Sequence, residues 1–150
     1  MKRTLAMIYS WLLVGIQLTA LAYLAVSGPL FARDLPLFLL QLTGVFIGLA
    51  AVWRMAGTRW RIRPDVHPKA RLITRGIYRR IRHPMYTAVL LIALSWLYLR
   101  FTGERAIAFG VLFATLCLKL AYEERLLHHR FGKAYAQYCQ HSYRLIPHIF

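Results

Sequence analysis

Acidic residues are scarce in this sequence. Its 150 residues include five acids against 20 lysines and arginines, which gives a formal net charge of +15. The five acids are Asp34, Asp65, Glu104, Glu123 and Glu124. In a soluble chain this excess would indicate nucleic-acid binding, but 59% of the residues are hydrophobic and they fall in blocks. Because basic residues beside apolar blocks orient membrane helices and contact anionic lipids, we predict a membrane protein with no nucleic-acid partner.

Residues that form the common catalytic and metal sites are also few. The two cysteines, Cys117 and Cys139, have no C-x-x-C partner, which argues against a disulfide framework and a zinc ligand set. The six histidines form no H-x-x-H-H box, so no metal is predicted, although Glu124 and His128 lie one helical turn apart. The sequence has neither a serine nucleophile elbow nor a glycine-rich phosphate loop.

Two long apolar stretches lie within residues 1–56. The first, about residues 5–26, is long enough to cross a hydrocarbon layer of about 30 Å, and Ser27-Gly28-Pro29 ends it. The second, about residues 35–55, carries Gly44 and Gly48 in a G-x-x-x-G spacing. We interpret that spacing as close helix packing within this chain rather than as dimerisation. Both stretches are predicted to be spanning helices.

A basic connector follows at residues 57–84. Its first 27 positions, 57 to 83, carry nine basic residues and one acid, Asp65. By the positive-inside rule this segment lies on the cytoplasmic side, and the N-terminus lies on the same side.

Residues 85–150 contain two shorter apolar runs, 85–99 and 106–118, joined by a turn at 101–105. Each run is shorter than the roughly 20 residues of a full span, and the flanking Arg100 and Lys119 can extend the reach by snorkelling. Whether or not this hairpin crosses fully, both of its outer ends return to the cytoplasmic side. His83 and Tyr86 are therefore expected beside Glu123 and Glu124.

The tail, residues 121–150, is amphipathic and basic. It is predicted to continue the last helix, to break at Gly132 and to form an interfacial segment beyond that break. The predicted fold is one integral membrane domain over residues 1–150. It is an all-α membrane protein of four transmembrane helices, the last two a short hairpin, with an interfacial C-terminal helix on the cytoplasmic side.

The stretch GIYRRIRHPMY, residues 76–86, has the composition of a binding corner. Pro84 disfavours helical conformation at His83 and suits the first position of a helix. Free backbone N–H groups, an imidazole and the phenols of Tyr78 and Tyr86 would then be close together. The alternative is a basic, aromatic collar at the membrane interface.

Glu123 and Glu124 are adjacent acids in a chain with few acids. On a helix they point about 100° apart, so one can face a pocket and the other the arginine-rich segment. A pocket carboxylate would suit an ammonium group. The alternative is exposed ion pairs with Lys119 and Arg125, which would contribute only about 0–1 kcal/mol.

The C-terminal half, roughly residues 68–148, resembles the isoprenylcysteine carboxyl methyltransferase and phospholipid methyltransferase family. The shared pattern is G-x-Y-x-x-x-R-H-P-x-Y, an apolar hairpin, E-E, F-G-x-x-Y and a late R-x-x-P. Here it consists of Gly76, Tyr78, Arg82, His83, Pro84, Tyr86, Glu123, Glu124, Phe131, Gly132, Tyr135, Arg144 and Pro147.

The resemblance implies an integral membrane enzyme that transfers a methyl group from S-adenosyl-L-methionine, bound near the cytosolic face, to a lipid or small hydrophobic acceptor. It implies Glu123 near the cofactor's amino group and the 83–86 turn around its other parts. The implied cofactor-binding residues are Ala70, Arg71, Leu72, Ile73, Tyr78, His83, Pro84, Met85, Tyr86, Glu123 and Glu124. Lys119 and Arg144 are the candidates for positioning the acceptor.

This chain departs from the family pattern at two places. The usual Y-x-G is Tyr86-Thr87-Ala88 here, and Lys119 replaces an arginine implicated in holding the carboxylate of prenylcysteine substrates. A lysine cannot make the bidentate contact of a guanidinium, so an amine, thiol or phospholipid acceptor stays open beside a carboxylate. Two other functions stay open as well. One is a non-catalytic membrane protein that binds anionic lipids or a partner, and the other is a nicotinamide-dependent reductase related to the sterol reductases.

Overall fold

The protein is all-helical over the residues that the computed structural model describes, 2–56, 72–147 and 149. Five α-helices and one short 3-10 helix follow one another along the chain. They are α1 (Lys2–Val26), α2 (Leu35–Met55), the 3-10 helix (Gly76–Arg79), α3 (Pro84–Leu99), α4 (Gly103–Phe131) and α5 (Lys133–Gln140). Most of the predicted basic connector, residues 57–71, lies outside the described residues.

Three of these helices are long and apolar enough to cross a membrane: Thr4–Val26, Leu35–Met55 and Gly103–Phe131. The integral-membrane character predicted from the sequence is therefore confirmed. The fourth predicted span, α3, has 16 residues and reaches only about 24 Å at 1.5 Å per residue.

As the sequence predicts, the tail continues the last helix as far as Gly132. α4 therefore has 29 residues, because its helix continues through the charged stretch that follows the apolar run 106–118. The predicted turn at 101–105 is shorter than expected. Thr102 caps α4 by accepting the Arg105 N–H at 3.4 Å, so that the helix already begins at Gly103.

α2 packs along α3, and the contact depends on a missing side chain. A Cβ atom at Gly44 would lie 2.8 Å from Ile92 Cγ1 and 3.0 Å from the Ala88 carbonyl oxygen. Side-chain carbon atoms do not approach that closely, so only glycine permits the two helices this separation. The interpretation of the G-x-x-x-G spacing as packing within the chain is confirmed.

α1 packs against α4, and a small apolar core lies where α1, α3 and α4 meet. Its buried members are Ala20, Leu24, Ala93, Leu112 and Leu116. The other faces of α1 and α2 carry exposed apolar side chains, such as Phe46, which is 70% exposed. In a chain with spanning helices, such faces contact lipid.

The end of the bundle at the α1–α2 loop is held together by Arg105. Its side chain is 1% exposed and donates to the Ser27 hydroxyl and, at 2.6 Å, to the Trp96 carbonyl. Trp96 Nε1 in turn donates to the Leu30 carbonyl at 2.9 Å. These contacts fasten the loop to the α3–α4 hairpin, so the starts of α2 and α4 are fixed. The groups of the predicted site lie at the opposite end of α4.

Candidate active site

His83 and Pro84 form the corner at which α3 begins. His83 is the N-cap residue with φ −122° and ψ 60°, and Pro84 is the first helical residue, as the sequence predicts. The His83 carbonyl accepts the N–H groups of Tyr86 at 3.0 Å and Thr87 at 3.1 Å. The His83 and Tyr86 rings consequently stack nearly parallel, with centroids 5.5 Å apart and 3° between their planes.

The tail returns from α5 and crosses this corner. The N–H of His83 donates to the Arg144 carbonyl at 3.1 Å, and the N–H of Tyr143 donates to the Arg80 carbonyl at 2.8 Å. From α3, the Thr87 hydroxyl donates to the Leu145 carbonyl at 2.8 Å. We call residues 142–145 the tail strap. Their hydrogen bonds hold His83 in position at the start of α3. The predicted break at Gly132, where φ is +50°, redirects the chain after α4.

Glu124 connects the three segments. Its side chain is 9% exposed and accepts from Arg82 Nε at 2.9 Å and from Arg144 Nη2 at 3.0 Å. Arg82 also donates to the carbonyl of Ser142 in the tail strap. Glu124 thus faces the arginines, and the exposed pairing with Arg125 considered from the sequence is not the arrangement found. Arg144, a candidate for positioning the acceptor, is bound to Glu124 instead.

Glu123 points to the other side of α4, toward the stacked rings. The Tyr86 hydroxyl donates to its Oε1 at 2.5 Å, and His83 Nδ1 lies 3.5 Å from its Oε2. The Glu123 side chain is 22% exposed, more than twice as much as that of Glu124. The two adjacent carboxylates therefore have different main partners, as the 100° helical offset predicts, and the His83 ring lies between them.

The electrostatics of the corner are set by these carboxylates. Burial lowers the pKa of His83, but the close approach of Glu123 and Glu124 outweighs it, so that the pKa lies above the usual value of 6.5. His83 Nε2 is 3.6 Å from Glu124 Oε1, beyond hydrogen-bonding distance. Within the described residues this buried nitrogen has no hydrogen-bond partner.

Tyrosines close the corner from behind. Tyr78 is buried, and its carbonyl accepts the Tyr138 hydroxyl of α5 at 2.5 Å. Burial raises the pKa of Tyr78 above its usual range and that of Tyr138 to about 12. Both phenols are therefore neutral at physiological pH, and the Tyr138 hydroxyl acts as a hydrogen-bond donor.

Lys119 lies one turn before Glu123. It is buried, its Nζ lies 5.3 Å from the centroid of the Tyr86 ring, and it donates to Gln17 Oε1 of α1 at 2.6 Å. The sequence analysis did not identify Gln17. The available signal was a lone amide in the middle of an otherwise apolar helix.

The remaining predicted residues fall into two groups. Met85 is half-buried in the first turn of α3, whereas Leu72 and Ile73 lie in non-helical chain before the 3-10 helix, half-buried and without a hydrogen bond to the described part of the site. Ala70 and Arg71 lie outside the described residues.

Most of the residues that form this geometry lie in a segment that matches a known family. Residues 37–134, from the first turn of α2 to the start of α5, match the phospholipid methyltransferase family. The chain belongs to this family. The resemblance inferred from the R-H-P-x-Y and E-E motifs is thereby confirmed.

Curated relatives of this family member come from plants. A probable protein-S-isoprenylcysteine O-methyltransferase of Oryza sativa subsp. japonica is 33% identical over 89 residues, which are 59% of this chain and 47% of the rice protein. Protein-S-isoprenylcysteine O-methyltransferase B of Arabidopsis thaliana is 31% identical over 90 residues, 59% of this chain and 45% of its own length. The chain spans about half the length of the curated relatives it matches.

Proposed function

We propose that this protein is an integral-membrane methyltransferase that moves a methyl group from S-adenosyl-L-methionine to a membrane-resident lipid or small hydrophobic acceptor. The observation that carries the proposal is the cluster of His83, Tyr86 and Glu123 at one end of the bundle, inside the family-matched segment. The names of the plant relatives support the same chemistry.

The residues present fit this cofactor. Glu123 is the carboxylate suited to its ammonium group, because it is partly exposed and a carboxylate offers about four acceptor positions, of which Tyr86 uses one. Glu124 is less suited, since two arginines already bind it. The aromatic faces of the 83–86 corner favour a cationic sulfur.

When bound, S-adenosyl-L-methionine supplies an electrophilic methyl group on a cationic sulfur. The chain's own contribution is orientation: Glu123 holds the ammonium end, the 83–86 corner fixes the aromatic faces, and Glu124 keeps the corner in place. Orientation of this kind can contribute about 7–11 kcal/mol to lowering the barrier. No side chain needs to remove a proton when the acceptor is a carboxylate or a neutral amine.

The acceptor would approach from the lipid side, where Lys119 is the nearest positioning candidate. A prenylcysteine-type carboxylate, an amine head group and a thiol are the acceptor classes that we propose. Arg144 stays a second candidate, although it would have to be shared with Glu124. The basic connector and its positive-inside bias support placing this end of the bundle, with both termini, on the cytoplasmic side. We further propose that α3 crosses as the fourth span.

Cofactor binding by the detergent-purified protein tests the proposal. We expect a thermal shift with S-adenosylhomocysteine and none with NADPH. In calorimetry, Glu123→Gln should weaken S-adenosylhomocysteine binding about tenfold or more, because a charge-assisted contact is worth about 1.5–3 kcal/mol. Glu104→Gln, the same change on an exposed residue at the far end, is the control.

The outcomes separate the alternatives. No shift with S-adenosylhomocysteine, together with salt-sensitive binding to anionic liposomes, would support the non-catalytic membrane protein instead. A shift with NADPH alone would support the reductase. Equal affinities of Glu123→Gln and the parent protein would refute the role of Glu123 and leave the methyltransferase proposal standing.

A further inference from the structure

Lys119 is a buried cation without an acidic partner among the described residues. It is 3% exposed, and no carboxylate of the described chain lies within ion-pair distance of its Nζ. Glu123, one turn further along α4, accepts from Tyr86 and approaches His83 instead. The contacts of Lys119 are the Gln17 amide oxygen at 2.6 Å and the face of the Tyr86 ring at 5.3 Å.

The described chain offsets only part of the free-energy cost of burying the Lys119 ammonium. It has three N–H donors, and the described chain provides a hydrogen-bond acceptor for one of them. Burying a charge is costly unless it is paired and hydrogen-bonded. An anionic group that is not part of the described chain could accept from the other two N–H donors. It would then lie beside Tyr86 at the edge of the proposed cofactor site.

Gln17 differs from the other amide in the spanning helices. Gln41 of α2 uses both ends of its amide on backbone, accepting from Ala32 N at 3.0 Å and donating to the Leu30 carbonyl at 2.8 Å. It therefore braces a loop. Within the described part of the chain, the Gln17 side-chain oxygen accepts from Lys119 only, and α1 lies outside the family-matched residues 37–134.

We propose that Gln17 is a positioning residue for the methyl acceptor. It holds the Lys119 ammonium beside the Tyr86 ring and leaves two N–H donors for an anionic group of the acceptor. The inference rests on the proposed function and narrows it, since the site would then select an acceptor that carries negative charge at or next to the atom that is methylated. α1 would thereby contribute directly to specificity.

Two matched probes test this inference without turnover. One is an S-prenyl N-acetylcysteine, which carries a carboxylate, and the other is its carboxamide, which has the same shape and no charge. Binding of each is measured in detergent micelles that contain S-adenosylhomocysteine. We expect the parent protein to bind the carboxylate at least about tenfold more tightly, in line with the 1.5–3 kcal/mol of a charged hydrogen bond.

The variants locate the effect at Gln17. Gln17→Glu supplies a permanent counter-ion to Lys119, so it should abolish the preference for the carboxylate, and Gln17→Met should reduce it. In a Lys119→Gln background, Gln17→Glu should cause no further loss of preference, because the two residues act as one unit. Gln41→Glu makes the same chemical change in another spanning helix and should leave the preference intact.

S-adenosylhomocysteine affinity is measured for the Gln17 and Gln41 single variants and should be unchanged, which shows that the fold and the cofactor site are retained. A preference that survives Gln17→Glu would overturn the inference. So would equal binding of the two probes, or binding of neither, by the parent protein. Failure of the parent protein to bind S-adenosylhomocysteine would refute the proposed function instead.

Discussion

Replacing Glu124 with glutamine should weaken the junction between α4, the His83 corner and the tail strap. The side chains of Glu124 and Arg82 are 9% and 10% exposed and pair at 2.9 Å. Removing one member of a buried ion pair costs about 3–5 kcal/mol, because the other charge is left unpaired. Glutamine keeps one acceptor oxygen and almost the same volume, so we expect the lower limit, about 3 kcal/mol of unfolding free energy.

Arg144 provides the internal comparison. Its contact with Glu124 is as short, 3.0 Å, but its side chain is 43% exposed. Water and salt screen such a pair, so Arg144→Gln should cost about 1 kcal/mol or less. Both variants remove the exposed Arg144–Glu124 pair, so the difference between them reflects the buried contacts of Glu124, chiefly the one with Arg82.

Reversible unfolding in mixed micelles of increasing SDS content, followed by far-UV circular dichroism, gives the free energies. Glu104→Gln is the control, since Glu104 is exposed and its side chain bonds, among the residues that the structure describes, only to the Tyr23 hydroxyl at 2.9 Å. It should change stability by no more than about 0.5 kcal/mol. The reasoning is refuted if Glu124→Gln is no more harmful than Glu104→Gln, or if Arg144→Gln equals it.

Two further predictions use the same unfolding assay. The pKa of His83 is raised in the folded protein, so its stabilising charge is fully present below about pH 6.5 and is lost as the pH rises through the higher folded-state value. The stability difference between the parent and His83→Gln should therefore shrink from pH 5.5 to pH 9, and a constant difference would contradict this. Gly44→Ala should cost about 1–3 kcal/mol because its Cβ would meet Ile92 at 2.8 Å. Gly48→Ala, whose Cβ would rest 3.4 Å from Ala88, should be nearly neutral, and equal effects would disprove the packing argument.

The lengths of the apolar runs, and the prolines and glycines that bound them, were enough to predict most of the fold. α1 ends at Val26 and α2 runs from Leu35 to Met55, because proline and glycine bound those apolar runs. The C-terminal end of α4 was predictable in the same way. Its helix continues past the apolar run through polar residues and ends at Phe131, next to the predicted break at Gly132.

The candidate site was only partly predictable. Two local features of the site were predictable. A proline suits the first position of a helix, and adjacent residues on a helix point about 100° apart, so the two glutamates face different groups. Which acid faces which group depends in part on the tail strap, whose backbone hydrogen bonds to Arg80, Arg82 and His83 leave no side-chain pattern in the sequence. Gln17 was missed because it contacts Lys119 across 102 positions of chain.

The two carboxylates make α4 sensitive to changes of length. A residue inserted between Gly110 and Glu123 would rotate everything after it by about 100°, moving the Glu123 position away from the stacked rings and bringing the wrong side chain to the arginines. Natural and laboratory variants of this helix should therefore accept many replacements along its lipid face, yet reject single insertions and deletions. The site therefore depends on the angular positions of its side chains around α4 as much as on their identities.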